Sequence, residues 1–344
     1  MMLKNKSICA AILLLLCMLL FPAPALAAGP VDVTREVSLT IHYQDDQNPV
    51  AGISFSLYKV AEIDAYADFT LTGDFQNYPV RVDGLDSDAW RALAETLTGY
   101  AQRDKLTPLD RGETGQDGKV RFPNRQTQLS PGLYLVVAQP ASIGGYDYTT
   151  EPFLVSLPNL ESDTWQYHVT AVPKYNRTYY PPSYPREETV ERRALKVWDD
   201  ADAQSRPKAV TVQLLKDGVV YDTAVLNADC GWAHGWTNLP KYENGRLIEW
   251  RVVEQQVLGD YTVSVTQEGI TFVITNTGEQ PENPPENPPE NPNEPPQNPK
   301  EPTEDSGEKL PQTGVLWWPV PLLAATGLTF LLLGALCRKK KDHA

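Results

Sequence analysis

The chain has 344 residues, with 44 acidic and 30 basic side chains giving a formal charge of −14. That balance argues against nucleic acid as a partner and mainly implies a soluble surface. The length suits two domains of ordinary size plus tails.

Both termini read as processing segments. Met1 to Lys6 is a basic start, Ile8 to Phe21 is apolar, and Ala25-Leu26-Ala27 follows. This is the pattern of a secretory signal peptide over 1–27, cleaved after Ala27. The competing reading is an uncleaved anchor, for which the apolar run is short of the ~20 residues a span requires. At the other end, Leu310-Pro311-Gln312-Thr313-Gly314 precedes an apolar stretch from Val315 to Cys337 and then Arg338-Lys339-Lys340-Lys341. The stretch is long enough for a transmembrane helix at 315–337, and the basic tail would stay cytoplasmic. Cys9 and Cys17 lie in the expected signal and Cys337 in the expected span, both of them segments expected to be absent from the mature exported chain. Only Cys230 remains, so the exported chain has no internal disulfide.

Between these ends the chain reads as mostly strand. Val37 to Tyr43 and Ile53 to Tyr58 alternate apolar and polar residues, as half-buried strands do. Ser87 is expected to cap a helix carrying Trp90, Leu93, Leu97 and Tyr100 at helical spacing. Arg111-Gly112-Glu113 is expected in a loop. Leu133 to Val137 and Phe153 to Leu157 are buried-strand candidates. Prolines clustered with aromatics from Tyr179 to Pro185 mark a stiff linker at 177–188. It separates a first domain at 31–176 from a second at 189–277. Pro-Glu-Asn-Pro units then recur from Pro281 and degenerate through Lys300. Such a segment, 278–309, lacks apolar residues, its prolines remove backbone donors and fix φ, and it is expected to form a polyproline II stalk with a reach of roughly 100 Å.

The C-terminal motif, followed at once by a span and a basic tail, resembles the LPXTG sorting signal of sortase substrates. The resemblance implies that a sortase cysteine attacks the Thr313 carbonyl, releases Gly314 onward, and passes Thr313 to an amine of peptidoglycan or of another subunit. The second domain resembles a Cna B-type domain, a small immunoglobulin-like β-sandwich. The residues that carry this are Leu195-Lys196-Val197-Trp198, Val210 to Gly218, Trp236 to Tyr242, Trp250-Arg251-Val252-Val253-Glu254, Gly259-Asp260-Tyr261 and Ile274-Thr275-Asn276-Thr277. In that family a first-strand lysine and a last-strand asparagine form an isopeptide bond promoted by a glutamate. Position by position these are Lys196, Asn276 and Glu254. The glutamate segment is similar to the pilin E-box, with Trp250 where Tyr is usual.

Strand alternation puts Glu254 on the face of Trp250 and Val252, and Asn276 on the face of Phe272 and Ile274. Lys196 is ambiguous, because Leu195 and Val197 make the opposite face apolar too. Burial would favour a neutral amine and a protonated carboxyl. Spacing alone leaves a buried Lys196–Glu254 salt bridge, with Asn276 in a turn, equally open.

The first domain resembles the N-terminal domain of Gram-positive pilins more loosely. Trp165, Val169, Pro173 and Lys174 match the motif Trp-x-x-x-Val-x-Val-Tyr-Pro-Lys in register, whereas Ala171 and Val172 depart from it. The match makes Lys174 the candidate amine that accepts another subunit; otherwise it is a solvated lysine at a domain edge. No internal bond is implied in this domain, since the first-strand lysine position holds Tyr43.

His42, His168, His234 and His343 have no metal spacing, and no phosphate loop or nucleophilic triad is present. No metal, cofactor or enzyme activity is expected beyond self-modification. The resulting expectation is an all-β chain of two sandwiches, the first with a helical insert. It would act as a basal minor pilin with sortase, peptidoglycan and other pilin subunits as partners. The alternatives are a shaft pilin and a monomeric adhesin that binds host matrix.

Overall fold

The computed structural model describes residues 29–125, 128–179, 188–201, 203–204 and 206–278. The expected signal peptide, most of the linker, the Pro-rich stalk beyond Gly278, and the sorting signal with its transmembrane helix lie outside the described residues.

The first domain is built around β1 (Ser38–His42), β2 (Ser54–Ile63), β3 (Asp110–Glu113), β4 (Lys119–Phe122), β5 (Gly132–Ala138), β6 (Tyr146–Thr150), β7 (Phe153–Leu157), β8 (His168–Ala171) and β9 (Tyr175–Tyr179). In one sheet β1 lies between antiparallel β4 and parallel β8, with Leu39 opposite Val169. A second sheet runs β7-β5-β2 and carries β3 on β2. Its two faces explain the uninterrupted burial of β5. Phe55, Leu57, Tyr134 and Val136 join the core shared with Leu39, Ile41 and Phe122. Tyr58, Val60, Leu133, Leu135 and Val137 face the other way, onto a helix.

That helix, α1 (Ser87–Arg103), is the expected insert. Its cap is Asp86 rather than Ser87: the Asp86 carboxylate accepts from the backbone N–H groups of Asp88 and Ala89, which leaves Ser87 as the first helical residue. The expected loop at Arg111-Gly112-Glu113 is instead strand β3, paired with Ser54–Leu57. Its charged side chains hide the strand from a hydrophobic pattern. Gly112 allows the close approach, since a Cβ there would lie 2.5 Å from Val120 Cγ2. Pairing also continues past Asn176, because β9 runs against β6 as far as Tyr179.

The second domain is a two-sheet sandwich. It comprises β10 (Thr189–Asp199), β11 (Ala209–Lys216), β12 (Val219–Asn227), β13 (Ala233–Pro240), β14 (Trp250–Glu254), β15 (Thr262–Glu268) and β16 (Thr271–Thr277). One sheet has the order β13-β10-β16-β15, with β10 and β16 parallel; the other has the order β12-β11-β14. Val210, Val212, Leu214, Leu226, Trp236, Trp250, Val252, Phe272 and Ile274 fill the space between them. The fold is thus mostly β and immunoglobulin-like, as expected.

In this sandwich β14 and β15 are edge strands, one in each sheet. An open edge leaves unpaired N–H and C=O groups. Here the first domain satisfies several of them. The N–H of Val263 donates to Pro79 O at 2.8 Å, and that of Val265 donates to Thr96 Oγ1 at 2.7 Å. Arg103 donates to the carbonyls of Glu254 and Gln255, at the end of β14. Tyr100 enters the second domain's core cluster, while Leu93, Ala94, Leu97 and Ala101 serve the first domain's. One helix therefore contributes to two cores.

Gly99 sits at the tightest point of this docking. A Cβ there would stand 2.5 Å from Cγ1 of the buried, β-branched Val253. Glycine in a helix interior normally costs about 1 kcal/mol relative to alanine. Gly99→Ala should nevertheless destabilise the protein by about 1–3 kcal/mol, as overpacking does. Denaturant unfolding of the two proteins checks this, and a stabilised variant would contradict the packing described.

Candidate functional site

Three residues that the sequence places on separate strands meet in the second domain's interior. Lys196 lies on β10, Glu254 ends β14, and Asn276 lies near the end of β16. Their relative exposures are 3%, 0% and 0%. The register explains the meeting. Lys196 pairs with Ile274 and Trp198 with Asn276 across the parallel β10/β16 ladder, so Lys196 and Asn276 are offset by two residues on adjacent strands. Glu254 reaches them from the opposite sheet. Lys196, ambiguous in the sequence, faces the core, and Val197 is exposed.

Lys196 Nζ stands 3.8 Å from Glu254 Oε2. It donates to the carbonyls of Val197 at 2.9 Å and Ile274 at 3.2 Å, and it lies 4.2 Å over the Trp198 ring. Asn276 Nδ2 donates to Glu254 Oε1 at 3.2 Å. Trp198 is fixed edge-on by Trp232 and Tyr261, and the Tyr261 hydroxyl donates to Asp200. Trp250, at the variant E-box position, donates its indole N–H to Pro240 O and packs edge-on against Tyr221.

Burial dominates the electrostatics. Desolvation lowers the Lys196 ammonium to about 8, against an opposing attraction from Glu254. Desolvation likewise raises the Glu254 carboxyl, against Lys196 and the Asn276 hydrogen bond. Both shifts favour the uncharged forms, a nucleophilic amine and a protonated acid. Two buried oxygens, Glu254 Oε2 and Asn276 Oδ1, have no hydrogen-bond partner. Turning the Asn276 amide by half a rotation would place its carbonyl oxygen at Glu254 Oε1. A protonated Glu254 could then donate to that carbonyl and polarise its carbon.

The other candidates lie elsewhere. Lys174 is exposed in the three-residue connection between β8 and β9, directly after the buried Pro173. Tyr43 is buried, with its hydroxyl 3.0 Å from Thr150 Oγ1. Cys230 is an exposed free thiol, and backbone N–H donors, chiefly that of Asn227, pull it below the ordinary thiol range. His234 packs edge-on to Trp236. Among the described residues no group of His, Cys, Asp and Glu is arranged to hold a metal. Leu310, Pro311, Gln312, Thr313 and Gly314 lie outside the described residues.

Sequence reasoning missed that two residues of the first domain, Tyr100 and Arg103, border this site and that a third, Thr96, binds the β15 edge of the same sandwich. Burial is the first cause of the rise in the Tyr100 phenol, and the neighbouring Glu254 charge is the second. Arg103 stacks 4.6 Å over the Tyr100 ring. Tyr100 was visible as part of a helical stripe, but nothing in the spacing said which domain it would enter.

Residues 35–176 match the family described as Gram-positive pilin subunit D1, N-terminal domain, and residues 192–277 match the Cna protein B-type domain. The collagen adhesin of Staphylococcus aureus is 40% identical over 86 residues, 24% of this chain and 7% of the adhesin. The chain therefore spans a small part of that relative's length. The full-length major pilin SpaD of Corynebacterium diphtheriae is 21% identical, with a TM-score of 0.27, covering 72% of this chain and 65% of that one. A minor pilin of Streptococcus agalactiae is 20% identical, with a TM-score of 0.21, over 72% and 99% of the two chains. The class is that of Gram-positive pilin or Cna-type surface proteins, whose domains are structural rather than enzymatic. Within it the chain carries a segment that matches the pilin D1 N-terminal domain, followed by one that matches the Cna B-type domain.

The Lys196 shift has a measurable consequence in an Asn276→Ala variant, which lacks the amide. An unfolded lysine holds its proton up to its ordinary value of 10.5, whereas folded Lys196 releases it near 8. Between those values the unfolded chain binds the extra proton, so stability rises with pH. At ~1.4 kcal/mol per unit the climb is about 3 kcal/mol. Urea unfolding from pH 7 to 10 should show it in Asn276→Ala. It should be absent when Lys196→Met is added.

Proposed function

We propose that this protein is a sortase-anchored basal pilin that joins a pilus shaft to peptidoglycan and is locked internally by a Lys196–Asn276 isopeptide bond. The observation that carries the reading is the buried Lys196–Glu254–Asn276 cluster in a B-type domain that follows a D1 domain, with Lys174 exposed just ahead of the second domain.

The internal reaction balances within the cluster. Lys196 Nζ attacks Asn276 Cγ, and the N–C bond forms as the Cγ–Nδ2 bond breaks. Glu254 takes a proton from the amine and passes one to Nδ2, which leaves as ammonia. No external reagent is needed. The mature protein should weigh one ammonia less than its sequence, and Glu254→Ala should restore the full mass. A wild-type protein at full mass would contradict the bond and favour the buried ion pair.

The external links use other residues. Thr313 of the LPXTG motif is the donor to peptidoglycan after sortase cleavage, and Lys174 is the acceptor for the last shaft subunit. An exposed backbone connection suits Lys174 to approach an acyl-enzyme, because neither flanking strand has to open. Cross-linked peptides from digested cell walls separate the roles. A shaft subunit's threonine on Lys174 supports the basal reading. This chain's own Thr313 on Lys174 makes it a shaft pilin, and an unmodified Lys174 makes it a tethered adhesin. Lys174→Ala should abolish high-mass ladders containing this protein while leaving its wall attachment intact.

A further inference from the structure

Glu254 is the last residue of β14, and β14 is an edge strand. In a two-sheet sandwich such a position is open to water along the side where the neighbouring strand is missing. Yet Glu254 is completely buried. The missing cover comes from α1 of the other domain. Tyr100 inserts into the second domain's core. Arg103 lies over its ring and donates to the Glu254 and Gln255 carbonyls at 3.3 and 3.2 Å. Gly99 lets the helix backbone approach Val253, next to Glu254. Thr96 binds the opposing edge, accepting from Val265 N–H while donating to Ala92 O. Around this contact Arg251 is held by Glu95 and Glu249, and Gln102 donates to Glu249 at 2.8 Å.

We propose that α1 of the first domain completes the reaction chamber of the second, so that Lys196–Asn276 bond formation waits on docking of this helix, with Tyr100 and Arg103 as its positioning residues. This rests on the Lys–Asn reading above and adds a dependence of one domain's chemistry on the other. The chemistry needs a neutral amine beside a protonated carboxyl, and both states exist only where water is excluded. Removing the cover admits water at the Glu254 end of the cluster and returns the carboxyl toward its charged form. Each unit of that return lowers the reactive fraction about tenfold.

The test uses the full chain and follows the cross-linked peptide joining Lys196 to Asn276 by mass spectrometry after pulse labelling. Tyr100→Ala should slow its appearance about tenfold or more, and Arg103→Ala, at the half-buried rim of the contact, should slow it less. Tyr100→Phe keeps the ring and should cross-link at the wild-type rate. A purely structural role would lower the melting temperature of Tyr100→Ala without changing the rate. Wild-type-like rates in both alanine variants would overturn the dependence while leaving the bond itself intact. If Tyr100→Ala does not fold, Arg103→Ala and its rescue by Arg103→Lys decide the matter. Absence of the peptide from the wild type would remove the Lys–Asn reading and this inference together.

Discussion

An amine and a carboxyl buried side by side in a protein core cost several kcal/mol each as ions, unless they lose their charges or gain full sets of partners. The second domain is arranged around that constraint. Among the described residues Lys196 donates to two backbone carbonyls, lies over the face of Trp198 and stands 3.8 Å from Glu254, and Glu254 has one amide donor. This set is too small for two ions and sufficient for two neutral groups. The hydrophobic residues around them, Phe272, Ile274, Val252 and Trp250, fill the sandwich and keep water out of it. The packing that holds the sheets together is therefore also what strips both groups of water.

Edge strands extend the same constraint across the domain boundary. A sandwich standing alone exposes the outer backbone of β14 and β15. In this chain, side chains and backbone of the 78–103 region satisfy several of those groups. The helix manages this with residues that are modest helix formers. Thr96 and Thr98 turn their hydroxyls back to the carbonyls four residues earlier, and Gly99 gives up side-chain contacts for proximity. Their value lies in what they touch, which is why intrinsic propensity does not predict them.

Much of the fold could be read from alternation. The pattern puts Glu254 with Trp250 and Val252, and Asn276 with Phe272 and Ile274, and all six are buried. Lys196 could not be assigned, because both faces of β10 read as apolar there; the parallel pairing with β16, a contact some eighty residues away in sequence, decides it. Strand β3 was hidden because Arg111 and Glu113 carry no hydrophobic signal, and Gly112 leaves room for Val120 beside it. The cap at Asp86 differs from the expected Ser87 by one position, a choice between two capable side chains that only the backbone path resolves. The entry of Tyr100 into the neighbouring domain left no trace in local spacing. Apart from the cap, long-range assembly rather than local preference accounts for these misses.

The parallel pairing of β10 with β16 also sets how the second domain answers a pull. The chain enters at Thr189, at the start of β10, and leaves at Thr277, at the end of β16. Because the two strands run side by side in the same direction, their outer ends lie at opposite ends of one ladder. Tension between entry and exit therefore tries to slide the strands past each other. The paired hydrogen bonds from Arg193–Thr271 to Asp199–Thr277 are loaded together in shear. A hairpin pulled at its open end would instead unzip them one at a time. Before any covalent link is considered, the topology already makes this domain a mechanical coupling.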